Sequence, residues 1–207
     1  MKSPELLNSL LKINSIKINL KNPFNWASGW KSPIYFDNRI SLSYPNIRSE
    51  ITERLKKIIK ENYKDVDSIA GVATAGIAQG ALVSSELELP FSYVRSKPKS
   101  HGMKNLIEGR LEENKNIILI EDLISTGGSS IKAVEAIRDA GSNVLAVLSI
   151  FNYGFNVSTE NFNKIKCNTE SIFYYRDLLE VALANRYISE NELVKLKSWR
   201  ENPGEWK

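Results

Sequence analysis

The chain has 207 residues, enough for one domain with a full-sized core, and its formal charge of +4 comes from Lys and Arg spread widely along it. A single cysteine, Cys167, excludes an internal disulfide framework and fits a reducing compartment, and His101 with Cys167 is too small a set for a structural zinc cluster. The modest positive excess suits an anionic metabolite and equally a weak nucleic-acid affinity, so charge leaves both classes open.

Ser3-Pro4-Glu5 predicts a helix start, with a capping side chain, a proline in the first turn and an early acid. Leu6, Leu7, Leu10 and Leu11 give that helix one apolar face. Lys12 and Lys17 interrupt the apolar N-terminus before any secretory or membrane-spanning length is reached, so a soluble cytoplasmic protein is expected. Lys17 to Leu20 reads as a short strand. Phe24 to Arg39 is dense in aromatics, yet Gly29 and Pro33 keep it from forming one helix. Aromatic faces beside Ser28, Gly29, Lys31 and Ser32 suit a flat anionic heterocycle, and an edge strand with a turn is the equal alternative. Tyr44-Pro45 makes a break, after which Ile47, Ile51, Leu55, Ile58 and Ile59 define an amphipathic helix.

Asp67 to Ala73 reads as a strand leading into Thr74-Ala75-Gly76-Ile77-Ala78-Gln79-Gly80 and a small-residue helix through Leu87. The small residues serve either close helix-on-sheet packing or a backbone cradle for an anion. Leu89 to Val94 is a third strand. Beyond it, Arg95-Ser96-Lys97-Pro98-Lys99-Ser100-His101-Gly102 carries four possible cations and almost nothing apolar. Three readings fit it: a solvated basic loop, a nucleic-acid contact, or a cationic flap that closes over a polyanion. No aromatic residue is interleaved for base stacking, which counts against the second.

Ile117 to Ile120 forms a continuous apolar run suited to a strand buried on both faces. Glu121 and Asp122 stand where that strand is predicted to end. Ser125-Thr126-Gly127-Gly128-Ser129-Ser130 follows, then a helical pattern of Ile131, Val134 and Ile137 that closes at Gly141. Unpaired N–H groups in the first turn of such a helix, with the positive end of its dipole, make a phosphate seat that glycines let a ligand approach. Carboxylates beside the seat repel phosphate but accept sugar hydroxyls, or hold a hydrated Mg²⁺. Together they read as a site for a phosphorylated sugar. No Gly-Lys-Ser/Thr follows the glycines, so this is not a nucleoside-triphosphate loop, nor is it G-x-G-x-x-G.

Asn143 to Phe151 is a further strand and Ser171 to Tyr175 a last one. Asp177 to Asn185 reads as a helix, and Ser189-Glu190-Asn191-Glu192 as a capping box opening a final helix through Trp199, ended by Asn202-Pro203-Gly204. Strands alternate with helices from Asn46 to Phe151, which predicts an α/β fold with a parallel sheet and helices on both faces. In such a sheet ligands sit beyond the carboxyl ends of the strands, the edge shared by the Thr74, Arg95 and Glu121-Asp122 segments. No linker or repeat divides the 207 residues, so a single domain is expected.

The segment from Asn116 to Ser130 resembles the signature of type I phosphoribosyltransferases. The patterns S-G-x-x-S-P-x-Y-x-D from Ser28 and R-x-x-x-K-x-H-G from Arg95 resemble the orotate-using branch of that family. The resemblance implies the type I fold with a small N-terminal hood, and transfer of ribose 5-phosphate from phosphoribosyl pyrophosphate to orotate in pyrimidine biosynthesis, with Mg²⁺ held mainly through substrate. It implies a homodimer with shared active sites, no membrane and no nucleic acid. By the same resemblance Glu121 and Asp122 hold the ribose hydroxyls, Ser125, Thr126, Gly127, Gly128 and Ser129 hold the 5′-phosphate, and Leu123 and Ile124 also belong to the phosphoribosyl pyrophosphate site. Ser125, Tyr35 and Phe36 meet orotate, and Arg95, Lys99 and His101 meet pyrophosphate from the other subunit, with Lys99, His101 and Asp122 as the catalytic set. The chain departs from relatives at Ser96, where many have lysine, at Ala27 and Ala75, where some have lysine, and at Asn152-Tyr153, where some have arginine. A transferase for another base, and a non-catalytic nucleic-acid-binding regulator that keeps the sugar-phosphate site, are the alternatives.

Overall fold

The computed structural model describes residues 4–26, 29–97 and 106–206. They fall into two compact units, Ser49–Ile172 and the pair of segments Met1–Arg48 and Phe173–Lys207.

The central unit is built on strands rich in Ile, Val and Leu, which pack well on a pleated surface and here are covered on both faces. Strands β5 (Ser68–Val72), β6 (Phe91–Val94), β7 (Ile107–Glu108), β8 (Asn116–Ile124), β9 (Asn143–Asn152) and β10 (Asn168–Tyr174) line up in the order β10-β9-β8-β5-β6-β7. β5 runs parallel to β6 and to β8, and β8 parallel to β9, while β7 pairs antiparallel with β6. Helix α3 (Ala75–Leu87) packs on β5 and β8. Helix α4 (Gly128–Asp139) brings Val134 and Ile137 into one core cluster with Ala70, Ile117 and Leu119. Each of these aliphatic side chains is almost wholly removed from water, which stabilises the fold by roughly 1.5–3 kcal/mol for a Val, Ile or Leu. Helix α5 (Asn156–Lys164) adds Phe162 to that cluster.

The parallel α/β architecture agrees with the sequence reading, and α2 (Pro45–Asn62) buries Ile51, Leu55 and Ile59 as its pattern required. Three features differ. β8 does not stop at Ile120 but continues through Glu121 and Asp122 to Ile124, because β9 stays in register beside it as far as Asn152. The two-residue strand β7 was not foreseen, since so short a segment carries no period. Helix α5 was also missed: its sequence, NVSTENFNK, is polar, has no side-chain cap and buries only Ser158 and Phe162.

The second unit opens with α1 (Pro4–Lys12), whose four leucines are all buried. β1 (Ile16–Ile18) pairs antiparallel with β4 (Ile34–Phe36), and β2 (Phe24–Asn25) with β3 (Lys31–Ser32). A 3-10 turn at Asn38–Ser43 follows, begun by Asp37, whose carboxylate accepts the Arg39 amide. From the C-terminal segment come α6 (Tyr175–Ala184), against which α1 packs, and α7 (Glu190–Glu201). The predicted capping box is formed: the Ser189 hydroxyl accepts the Glu192 amide and Glu192 accepts the Ser189 amide. Trp199 is fully buried and its indole N–H donates to the Lys31 carbonyl at 3.0 Å.

Candidate sugar-phosphate site

The carboxyl end of β8 and the first turn of α4 are joined by only three residues, Ser125-Thr126-Gly127. Gly127 makes the turn with φ +84°, a left-handed conformation that glycine adopts without strain, and its carbonyl accepts the Ile131 amide at 2.9 Å. A Cβ there would stand 2.7 Å from the ring of Phe162, so α5 closes the back of the loop. No side chain caps α4. The leading amides of the helix therefore keep the unpaired donors and the dipole that bind an anion.

The cap position is Gly127, which has no side chain to offer, and the two serines of the first turn are engaged elsewhere. Ser129 and Ser130 both donate to Glu121 Oε2, at 3.1 and 3.0 Å, and the Asp122 amide donates to Glu121 Oε1 at 3.0 Å. Glu121 is only 4 % exposed, whereas Asp122 is half-buried. Burial first, and then the charge of Asp122 and a hydrogen bond between the two carboxyls, push Glu121 well above the ordinary glutamate range.

Helix α3 reaches the same strand end from another direction. A Cβ on Gly76 would lie 2.3 Å from the Ile120 carbonyl oxygen and 3.3 Å from Glu121 Cα, and one on Gly71 2.8 Å from the Gly76 carbonyl. Close packing of helix on sheet is thus one reason for the small residues of this segment. The helix also begins without a side-chain cap at Thr74, which leaves its own first amides available.

Of the residues expected around a ligand, Glu121, Asp122, Leu123, Ile124, Ser125, Thr126, Gly127, Gly128 and Ser129 are contiguous here. Ile124, however, has its side chain wholly in the core cluster, so only its backbone lies at the surface of the loop. Arg95 leaves β6 tied to Glu108 of β7 at 3.0 Å, with its Nε donating to the Lys97 carbonyl. Lys99 and His101 lie outside the described residues, as do Ala27 and Ser28. In the other unit the alternation of β4 separates the two aromatic candidates: Tyr35 is 37 % exposed, with its ring 5.4 Å from Phe24, while Phe36 turns inward and is buried. They do not share a face. Sequence reasoning passed over Ser130, whose hydroxyl completes the Glu121 shell, although two serines opening a helix beside an acid were visible. It also passed over Glu108 and Phe162.

Comparison with known proteins gives the same direction. Residues 42–172 match the phosphoribosyl transferase domain. The orotate phosphoribosyltransferase of Cytophaga hutchinsonii is 47% identical over 203 residues, covering 98% of this chain and 97% of that one. That of Phocaeicola vulgatus is 51% identical over 197 residues, covering 95% and 93%. The crystal structure of orotate phosphoribosyltransferase from Aeropyrum pernix superposes with a TM-score of 0.77 at 24% identity, over 89% of this chain and 99% of that one, which is a likeness of fold. On these grounds the chain belongs to the phosphoribosyl transferase family, on its orotate phosphoribosyltransferase branch.

Proposed function

We propose that the protein transfers the ribose 5-phosphate group of phosphoribosyl pyrophosphate to orotate, releasing pyrophosphate and forming orotidine 5′-monophosphate. The observation that carries this reading is the uncapped first turn of α4 set directly beside Asp122 at the carboxyl edge of the sheet. The amides from Gly127 onward hold the 5′-phosphate, with Ser125 and Thr126 adding neutral donors. Asp122 accepts the ribose hydroxyls and fixes the ring so that the anomeric carbon faces the base.

The bond to pyrophosphate breaks as a cation-like ribose forms, so positive charge grows on the sugar and negative charge on the leaving group. Asp122 stabilises the first. Arg95, Lys99 and His101 stabilise the second, arriving from the other subunit of a homodimer, where they act on charge as it develops. Among the described residues no three His, Cys, Asp or Glu side chains gather into an ion-holding group. Mg²⁺, held mainly through the substrate, would neutralise the departing charge. Closure of the basic segment excludes water that would otherwise hydrolyse the activated sugar. No helix among the described residues is long and apolar enough to cross a membrane.

The test is pyrophosphate release from phosphoribosyl pyrophosphate with orotate, uracil, adenine, hypoxanthine or no base. Release that depends on orotate is expected. Release with another base in its place overturns the substrate, and release with none of them overturns the activity.

A further inference from the structure

We propose that Phe162 is a positioning residue for the sugar phosphate: its ring, carried by α5, stands behind Gly127 and holds the turn that aims the leading amides of α4 at the anion. This rests on the function proposed above, and it gives a part in binding to a side chain that is itself only 3 % exposed.

A glycine permits the left-handed turn but does not impose it. Without a Cβ it populates positive and negative φ about equally, so the φ of +84° at Gly127 has to be fixed from outside. The nearest atoms to its Cβ position all belong to one ring: Phe162 Cε2, Cζ and Cδ2, at 2.7, 3.3 and 3.4 Å. Beside the ring, the Asn161 side-chain amide reaches the Thr126 carbonyl at 3.5 Å, a long contact. The Phe162 backbone is tied down in turn, its carbonyl accepting the Cys167 amide at 3.1 Å.

Helix α5 has little else to hold it in place, since it is polar, lacks a side-chain cap and buries only Ser158 and Phe162. Its other anchor comes from the far end of α4. Arg138, in the last turn of that helix, donates from Nη1 to the Ile165 carbonyl at 2.6 Å and from Nη2 to the Lys166 carbonyl at 3.3 Å. Those carbonyls follow the carboxyl end of α5, where a cation is favoured. α5 is therefore fastened to α4 at one end and braces the turn that opens α4 at the other.

Phosphate affinity of the folded protein separates this role from ordinary core packing. In calorimetric titration, inorganic phosphate and ribose 5-phosphate are both expected to bind about 3–5-fold more weakly to F162L and about tenfold more weakly to F162A, within the range that one hydrogen bond contributes. KM for phosphoribosyl pyrophosphate rises by the same factors while kcat holds, because the groups that meet the developing charge are untouched. V144A is the control. Val144 belongs to the same buried cluster but lies at the amino end of β9, whereas the loop follows the carboxyl end of its parallel neighbour β8. This variant is expected to melt lower and to bind phosphate as the wild type does. Wild-type phosphate affinity in F162L overturns the proposal, as does a loss in V144A as large as in F162L, or a fall in kcat of F162L with KM unchanged. R138A leaves the buried cluster complete and serves where the Phe162 variants do not fold: about 2–3-fold weaker phosphate binding is expected, and unchanged binding overturns the proposal. Failure of the wild type to use orotate removes the function reading and leaves the phosphate titration to decide.

Discussion

Replacing Gly76 by alanine tests how tightly the site is built against its second helix. The new Cβ would stand 2.3 Å from the Ile120 carbonyl oxygen, with Glu121 Cα at 3.3 Å, and both are backbone rather than the yielding end of a side chain. To reach ordinary contact, α3 and β8 must separate by about 1 Å. Overpacking of this kind costs about 1–3 kcal/mol, and two backbones that cannot rotate away place it at the upper end. Alanine's better helix propensity returns less than about 1 kcal/mol. The net of roughly 2 kcal/mol lowers Tm by about 4–8 °C in a protein of this size. The separation also carries Glu121 and Asp122 with it. A misplacement of about 1 Å in a reacting constellation reduces turnover by about 10²-fold. The assay is thermal unfolding with steady-state kinetics, using Gly128→Ala as the stability control. Gly128 also sits in the first turn of a helix, but nothing stands within 4 Å of its Cβ position. If G76A melts with G128A and turns over like the wild type, the close approach of α3 to the acidic pair is not what positions the site.

Lys99→Ala is expected to lower turnover by about 10²–10³, the size seen when one preorganised charge partner is lost, and near-normal steady-state rates would remove Lys99 from the mechanism. Mixing K99A with D122N under conditions where subunits exchange should restore activity through one intact site per hybrid dimer, and exchange without recovery would refute shared sites. Gly127→Ala forces a side chain into φ +84°, at a cost of about 1–2 kcal/mol, and against the Phe162 ring. KM for phosphoribosyl pyrophosphate should rise about tenfold, partly relieved by adding Phe162→Leu, and an unchanged KM would mean the loop does not hold the phosphate. Glu121 holds its proton more tightly folded than unfolded, so its contribution to stability is complete below about 4.5, its ordinary value, and is lost as pH rises toward the folded value. The Tm of E121Q should therefore gain on the wild type as pH is raised above that point, and a difference that stays flat or shrinks contradicts a protonated Glu121.

The parts of the fold legible in the sequence are those where one face or both faces of an element are buried. The Ile117–Ile120 run, the α2 stripe of Ile51, Leu55 and Ile59, and the four leucines of α1 all declared themselves through period and apolar content. The Ser189 box was legible for a different reason, since its partners lie three residues apart and need no tertiary contact. Where pairing with a distant strand decides the structure, local pattern gives nothing. Glu121 and Asp122 look like a strand's end because acids are poor strand residues, and it is β9 that holds them in the ladder. Likewise Tyr35 and Phe36 read as one aromatic patch until the pleat sends them to opposite faces.

The candidate site shows the same division at the level of single side chains. Adjacent acids before a small-residue loop mark a sugar-phosphate site, because few other structures need that combination, yet the spelling treats the two acids as equals. Extending β8 by four residues breaks that equality. Both acids then lie within the strand, and they differ in burial, Glu121 being 4 % exposed. Glu121 is buried against the first turn of α4, where it accepts the hydroxyls of Ser129 and Ser130. Asp122 stays half-buried. The difference in burial between the two acids therefore follows from where α4 lands, and it is not written in the two letters themselves.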